Sequence, residues 1–135
     1  MPIQYVSAFF IYMKHRKLTE QELHNFAMNI VGKQLEEQGY EFLAVNSELK
    51  KNPQFVCTKN KKMSFIVVKS IEYPGDPKDI EFFRSDLYKM RDHALKFEAR
   101  TFYAPVGLVN AKDYNLPVYL NEDYVLDYDG LIEIE

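Results

Sequence analysis

A chain of 135 residues has room for one domain with a genuine core and little else. With 47% apolar and 27% charged residues, disorder is excluded. A formal net charge of −3 argues against a dedicated nucleic-acid binder, whose affinity comes from neutralising phosphates. The single cysteine, Cys57, excludes an intrachain disulfide, a multi-cysteine zinc site and an all-cysteine iron–sulfur cluster.

Met1–Lys17 is ambiguous. Ile3, Tyr5, Ser7, Phe9 and Ile11 share one side of a strand pattern, and a helix fits nearly as well. Met13 is an alternative start, and on that reading residues 1–12 lie outside the native protein. Residues 1–17 are therefore treated as an extension within a single domain spanning 1–135. The apolar run Ile3–Met13 is eleven residues long, short of the roughly 20 a spanning helix needs. It also lacks the flanks of a signal peptide. No membrane association is expected, and the cytoplasm is the default location.

From Leu18 the pattern is clear. Thr19 as N-cap, with Glu22 three residues later, forms a capping box, and Leu18 with Leu23 forms a hydrophobic staple. A helix Glu20–Gln38 follows, with Leu23, Phe26, Ala27, Ile30, Val31 and Leu35 at helical spacing and Gly39 as its stop. Three strands are expected at Tyr40–Asn46, Pro53–Lys59 and Met63–Ser70, the last two joined as a hairpin by Asn60-Lys61-Lys62. Cys57, inside the second strand, reads as a buried, inert thiol. Phe65-Ile66-Val67-Val68 does not alternate and reads as a central strand buried on both faces. Asp76 as cap and Pro77 at the first helical position open a second helix, Pro77–Phe97. Its apolar stripe is Ile80, Phe83, Leu87, Met90, Ala94 and Phe97. A strand at Thr101–Val109 comes next, then shorter candidates at Pro117–Leu120 and Tyr124–Tyr128. The expected fold is α/β (α+β), a mixed sheet of four or more strands flanked by two helices.

The segment Phe26–Ser70 carries a resemblance. Leu35-Glu36-Glu37-Gln38-Gly39-Tyr40 leads into Glu41-Phe42-Leu43-Ala44-Val45-Asn46, then a polar loop, a strand, a basic turn and Ser64-Phe65-Ile66-Val67-Val68-Lys69. This resembles the small bacterial PD-(D/E)xK proteins related to archaeal Holliday-junction resolvases. They have a "GY…L…N" lead into the first strand, an acidic residue opening the second, and a third strand ending in "VEVK". The resemblance covers about a third of the chain closely and implies a restriction-endonuclease-like core.

It also implies a damaged site. In that family an Asp at the second strand and a Glu two residues before the lysine hold a divalent metal, which polarises the phosphate and generates hydroxide. Carried over, the lysine is Lys69, the Glu falls on Val67, and the Asp falls at or near Gln54. Valine cannot ligate, and glutamine is a weaker, neutral donor. The expectation is a non-catalytic domain acting as a binding or assembly module, without cofactor, through a protein partner or self-association. The alternative is a nucleic-acid-binding protein or a Mg²⁺-dependent nuclease with a relocated acid. Glu81 and Asp86 in the second helix, or Glu36 and Glu37 in the first, are the acids that could migrate.

Charge is unevenly spread. Lys50, Lys51, Lys59, Lys61, Lys62 and Lys69 fall between Glu48 and Ser70 against one acid, so the first five could contact phosphate from two adjacent loops. From Asp113 onward there are seven acids and no Lys or Arg, which allows head-to-tail association of the two poles. His15, His24 and His93 share no metal-ligand spacing, and each reads as packing or surface. Tyr103, Tyr114, Tyr119, Tyr124 and Tyr128 read as edge-of-core residues.

Overall fold

The structure, a computed structural model, describes residues 15–135. The two readings of Met1–Lys17 and the alternative start at Met13 therefore fall, except for its last three residues, outside the described part.

Helix α1 is Glu20–Glu37, followed by strands β1 (Glu41–Val45), β2 (Phe55–Lys59) and β3 (Lys62–Glu72). A single 3-10 turn at Glu81–Phe83 leads into helix α2 (Arg84–Leu95), and strands β4 (Arg100–Asn110), β5 (Tyr124–Asp127) and β6 (Ile132–Ile134) complete the chain. The strands form one six-stranded sheet in the order β1-β2-β3-β4-β5, with β6 also pairing with β4. All pairs are antiparallel except β3 with β4, which are parallel and joined through α2. The fold is thus the expected mixed sheet with two helices.

Strand β3 alternates between the two helices. Ile66 and Val68 join α1 residues Leu23, Ala27, Val31 and Leu35 in one cluster, whereas Val67 packs with Leu87 of α2 and Tyr103. Phe65 meets Ala94 at the far end of α2. The helices therefore cover opposite faces, and from Ser64 to Val68 neither face of β3 reaches water.

The start of α1 follows the capping box. Thr19 Oγ1 accepts from the Glu22 N–H at 3.1 Å, and Glu22 Oε1 accepts from the Thr19 N–H at 3.0 Å. Arg16 grips the same carboxylate at 2.6 and 2.9 Å, and together these bonds hold Glu22 down at a pKa of about 2.

The second helix departs from expectation by seven residues. Asp76 Oδ1 accepts from the Lys78 N–H, the Asp76 carbonyl from the Asp79 N–H, and Asp79 Oδ1 from the Glu81 N–H. These short-range bonds give the backbone an alternative to the helical ladder, so Asp76-Pro77 opens a turn and the α-helix waits until Arg84. Gly107 lets that turn sit against the sheet, since a Cβ there would lie 2.8 Å from Pro77 Cγ. Pro117–Leu120 is not a strand; Tyr119 makes only an isolated bridge with Lys17. The short strand β6 was not foreseen.

Candidate functional site

The carboxyl ends of the parallel pair β3 and β4 point the same way, and in open α/β sheets this is where ligands collect. Strand β3 runs to Glu72, two residues past the expected end, so Lys69 and Ser70 lie in its C-terminal part rather than at its end. The first turns of α1 bring Glu20, Leu23 and His24, the β1–β2 loop brings Leu49 and Lys50, and the segment before α2 brings Phe82 and Phe83. Together with Glu72 they enclose a cavity of about 350 Å³.

Of the three positions singled out by the resemblance, only Lys69 faces this space. Gln54 is buried and fully used. Its Oε1 accepts from the Val68 N–H at 2.6 Å, while its Nε2 donates to the Lys51 carbonyl at 3.1 Å and to Asn52 Oδ1 at 2.9 Å. The reason lies in the register. Phe55 pairs with Ile66 as the last rung of the β2–β3 ladder, and the Gln54 N–H donates to the Ile66 carbonyl at 2.9 Å, so Val68 lies beyond the end of the ladder. The Gln54 carboxamide supplies the next rung of the ladder and ties β3 to the loop. Val67 is wholly buried beneath α2.

Lys69 is half-buried, with its ammonium 5.2 Å from the centre of the Phe83 ring. Burial lowers its pKa; Asp86 pulls it back up and Lys50 pushes it further down. Asp86 acts from beyond ion-pair distance, and Lys69 makes no ion pair among the described residues. The other candidate acids go elsewhere. Glu81 pairs with Arg84 at 2.6 Å in the solvent. Glu36 and Glu37 sit at the C-terminal end of α1, while Lys69 lies by its first turns. From His24 to Glu37 is thirteen residues, roughly 20 Å of helix. Neither Glu36 nor Glu37 therefore takes the place of the lost acid beside Lys69. Among the described residues no group of three or more His, Cys, Asp or Glu could hold a metal ion.

The lysine cluster is divided. Lys50 and Lys51 precede β2, whereas Lys59 ends it, Lys61 lies in the turn and Lys62 opens β3, so the two groups occupy opposite ends of one strand rather than adjacent loops. Lys51 pairs with Glu48 at 2.8 Å, and Lys59 lies over the Tyr40 ring. The acidic C-terminal segment is also partly used within the chain. Glu122 pairs with His15 and Lys112, Asp129 with Lys78, and Glu133 with Arg100. Cys57 is buried and its thiol is pushed up to about 11 by desolvation, so it is not a nucleophile at neutral pH.

His24, read from the sequence as packing or surface, is packed inside and lines the cavity. It is 2% exposed, its Nε2 is buried without a hydrogen-bond partner, and burial together with Lys69 lowers its pKa. Its phase was a usable signal, because Ala27, Met28 and Val31 lie three, four and seven residues on and are all buried. A histidine on that stripe must be inside.

No helix among the described residues is long and apolar enough to cross a membrane. Neither a comparison with curated proteins nor one with solved structures finds a match. The model of a family described as a domain of unknown function, DUF8840, matches residues 21–134, a stretch that runs through both helices, all six strands and most of the cavity wall, and the chain belongs to that family.

Proposed function

We propose that this chain is a PD-(D/E)xK-like domain that has abandoned catalysis and serves as a binding or assembly module in the cytoplasm. The observation that carries the reading is the state of Gln54. Its carboxamide is buried and makes three hydrogen bonds inside the fold, with its oxygen turned to the Val68 N–H rather than to the cavity. Val67, at the second acidic position, is sealed in the core. The element order α-β-β-β-α-β, with helices on opposite faces and the lysine of the third strand at a cavity, supports the resemblance.

Asp86 is the carboxylate that acts on Lys69, and Glu20 and Glu72 line the cavity from exposed positions. Among the described residues no three such groups come together, whereas Mg²⁺ demands near-octahedral oxygen coordination. The test is incubation of the purified chain with branched and linear DNA and with RNA, in Mg²⁺ or Mn²⁺. No cleavage is expected. Metal-dependent cleavage that disappears in Lys69→Ala overturns the reading, and loss in Asp86→Asn or Glu81→Gln identifies a relocated acid.

A further inference from the structure

The two edges of the sheet are both open, and they carry opposite charge. Strand β1 ends the strand order on one side and β5 on the other. Each therefore shows a row of backbone N–H and C=O groups that no strand among the described residues takes up. Natural edges are often blunted by lysine or proline within the strand, and neither Glu41–Val45 nor Tyr124–Asp127 contains one. Both edges are apolar where they meet water. Leu43 is 56% and Val45 57% exposed on β1, and Tyr124, Val125 and Leu126 are all exposed on β5. Beside β1, Met28, Phe42, Val45 and Phe55 line a groove of about 700 Å³ against α1, room for side chains of an added strand.

Charge brackets each strand. Lys50 and Lys51 follow the C-terminal end of β1, and the pairing of Glu41 with Thr58 sets Lys59, Lys61 and Lys62 by its N-terminal end. The acids at that edge are Glu41 and Glu48, and Glu48 is taken up by Lys51. At the other edge Asp123 and Asp127 bracket the apolar residues of β5. Glu122 and Asp129 beyond them have partners within the chain, but Asp123 and Asp127 form no ion pair among the described residues.

Pairing β1 with β1 of a second copy, in either direction, sets lysine loops against lysine loops. Pairing β5 with β5 sets acids against acids, and like charges across an interface oppose association. The unlike edges bring opposite charges together. We propose that a second copy of this chain adds its β5 edge to β1, so that the sheet continues from one chain into the next. The inference rests on the reading of the chain as an assembly module, and names the partner and the surface. The bulge between Phe42 and Ala44 weakens indiscriminate pairing at this edge and leaves the selection to charge. A contact between two different surfaces repeats, so the product is a ring or a filament rather than a closed dimer.

The experiment is sedimentation velocity of the whole chain over a rising concentration series, at low salt without divalent metal or nucleic acid. Species larger than a dimer are expected, and added salt should weaken them because exposed charges are screened. Leu43→Asp on β1 and Val125→Asp on β5 should each weaken association about tenfold or more, through like-charge repulsion at the joined edges. Both positions are exposed, and circular dichroism of each variant checks that it folds. An equimolar mixture of the two folded variants should form a dimer and stop there, because one intact β1 then meets one intact β5. A wild type that stays monomeric overturns the proposal. So does association that either single variant retains, association that salt leaves unchanged or strengthens, or a mixture that stays monomeric. Because metal and nucleic acid are absent, failure here leaves the cleavage test untouched, and cleavage there leaves this series standing.

Discussion

The two faces of the sheet are built to different standards. On the α1 face, fifteen buried residues form one continuous cluster from Leu18 to Val118. Its helix begins with a complete capping box. On the α2 face the buried residues divide into two small groups, Val67 with Leu87, Tyr103 and Ile134, and Phe65 with Ala94 and Ala99. Helix α2 has no side-chain cap, and Phe82 and Phe97 stand exposed beside it. The Tyr103 hydroxyl is buried there without a partner. One face supplies most of the burial, and the other is left looser next to the Lys69 cavity.

The largest expected effect tests that difference directly. Leu35→Ala and Leu87→Ala each remove a buried leucine, a change that costs about 2–5 kcal/mol depending on how far the site can collapse. Leu35 should fall at the upper end, because its neighbours are a continuous buried cluster. Leu87 should fall at the lower end, because the half-buried Ile80, Tyr88 and Met90 around it can relax. Urea unfolding of both variants decides the matter, and equal losses break the comparison.

Gln54→Leu comes next. It keeps most of the volume but leaves the Val68 N–H buried without an acceptor, at a cost of about 1–3 kcal/mol. A loss well below that range in chemical denaturation would mean that Gln54 does not brace β3. Thr19→Ala removes one half of the capping box and should cost about 0.5–2 kcal/mol. The Glu22 carboxyl has its own pH signature. Its pKa is depressed to about 2 in the folded state, so its contribution is present above the ordinary carboxylate pKa. It is lost as pH falls toward 2. The wild-type stability advantage over Glu22→Gln should shrink across that window.

Lys69→Met is expected to cost at most about 1 kcal/mol, because methionine keeps the apolar stem and what is removed is a half-buried charge without an ion pair among the described residues. The sign of its pH dependence is the same as that of Glu22, because both folded pKa values are lowered and the unfolded chain binds the extra proton. Glu22 loses a favourable charge as pH falls, whereas Lys69 sheds a penalised one as pH rises. A lysine whose folded pKa is lowered binds its proton less well folded than unfolded, so its penalty is relieved as pH rises through the folded value toward the ordinary one. Wild type should gain on Lys69→Met in mildly alkaline thermal melts. The smallest effect belongs to Tyr103→Phe, which removes a hydroxyl with no partner and should be neutral or slightly stabilising. A clear loss of stability would show that the α2 face hides an interaction with this group.

How much of this was legible varies by element. Helix α1 was readable to its caps, because Thr19, Glu22, Leu18 and Leu23 act within one turn of each other. The double burial of β3 was readable from four apolar residues without alternation. The start of α2 was misread because Asp76-Pro77 is a sound helix opening by composition, and only the hydrogen bonds of Asp76 and Asp79 show that a turn wins. Gln54 stood out as a lost acid, but its bracing of Val68 depends on a strand fourteen residues away.

The sequence by itself determined what short-range chemistry controls: helix termini, the burial of strands, the inert cysteine, and the absence of a carboxylate at positions 54 and 67. The tertiary structure decided which of the remaining charges meet. It put Lys50 and Lys59 at opposite ends of β2, Glu37 a helix length from Lys69, and His24 beside Lys69. These separations run from nine to forty-five residues along the chain, and linear spacing carries no information about them. They are set by the parallel crossover of β3 and β4 and by the face on which each helix docks, and both follow from burying all the apolar stripes at once.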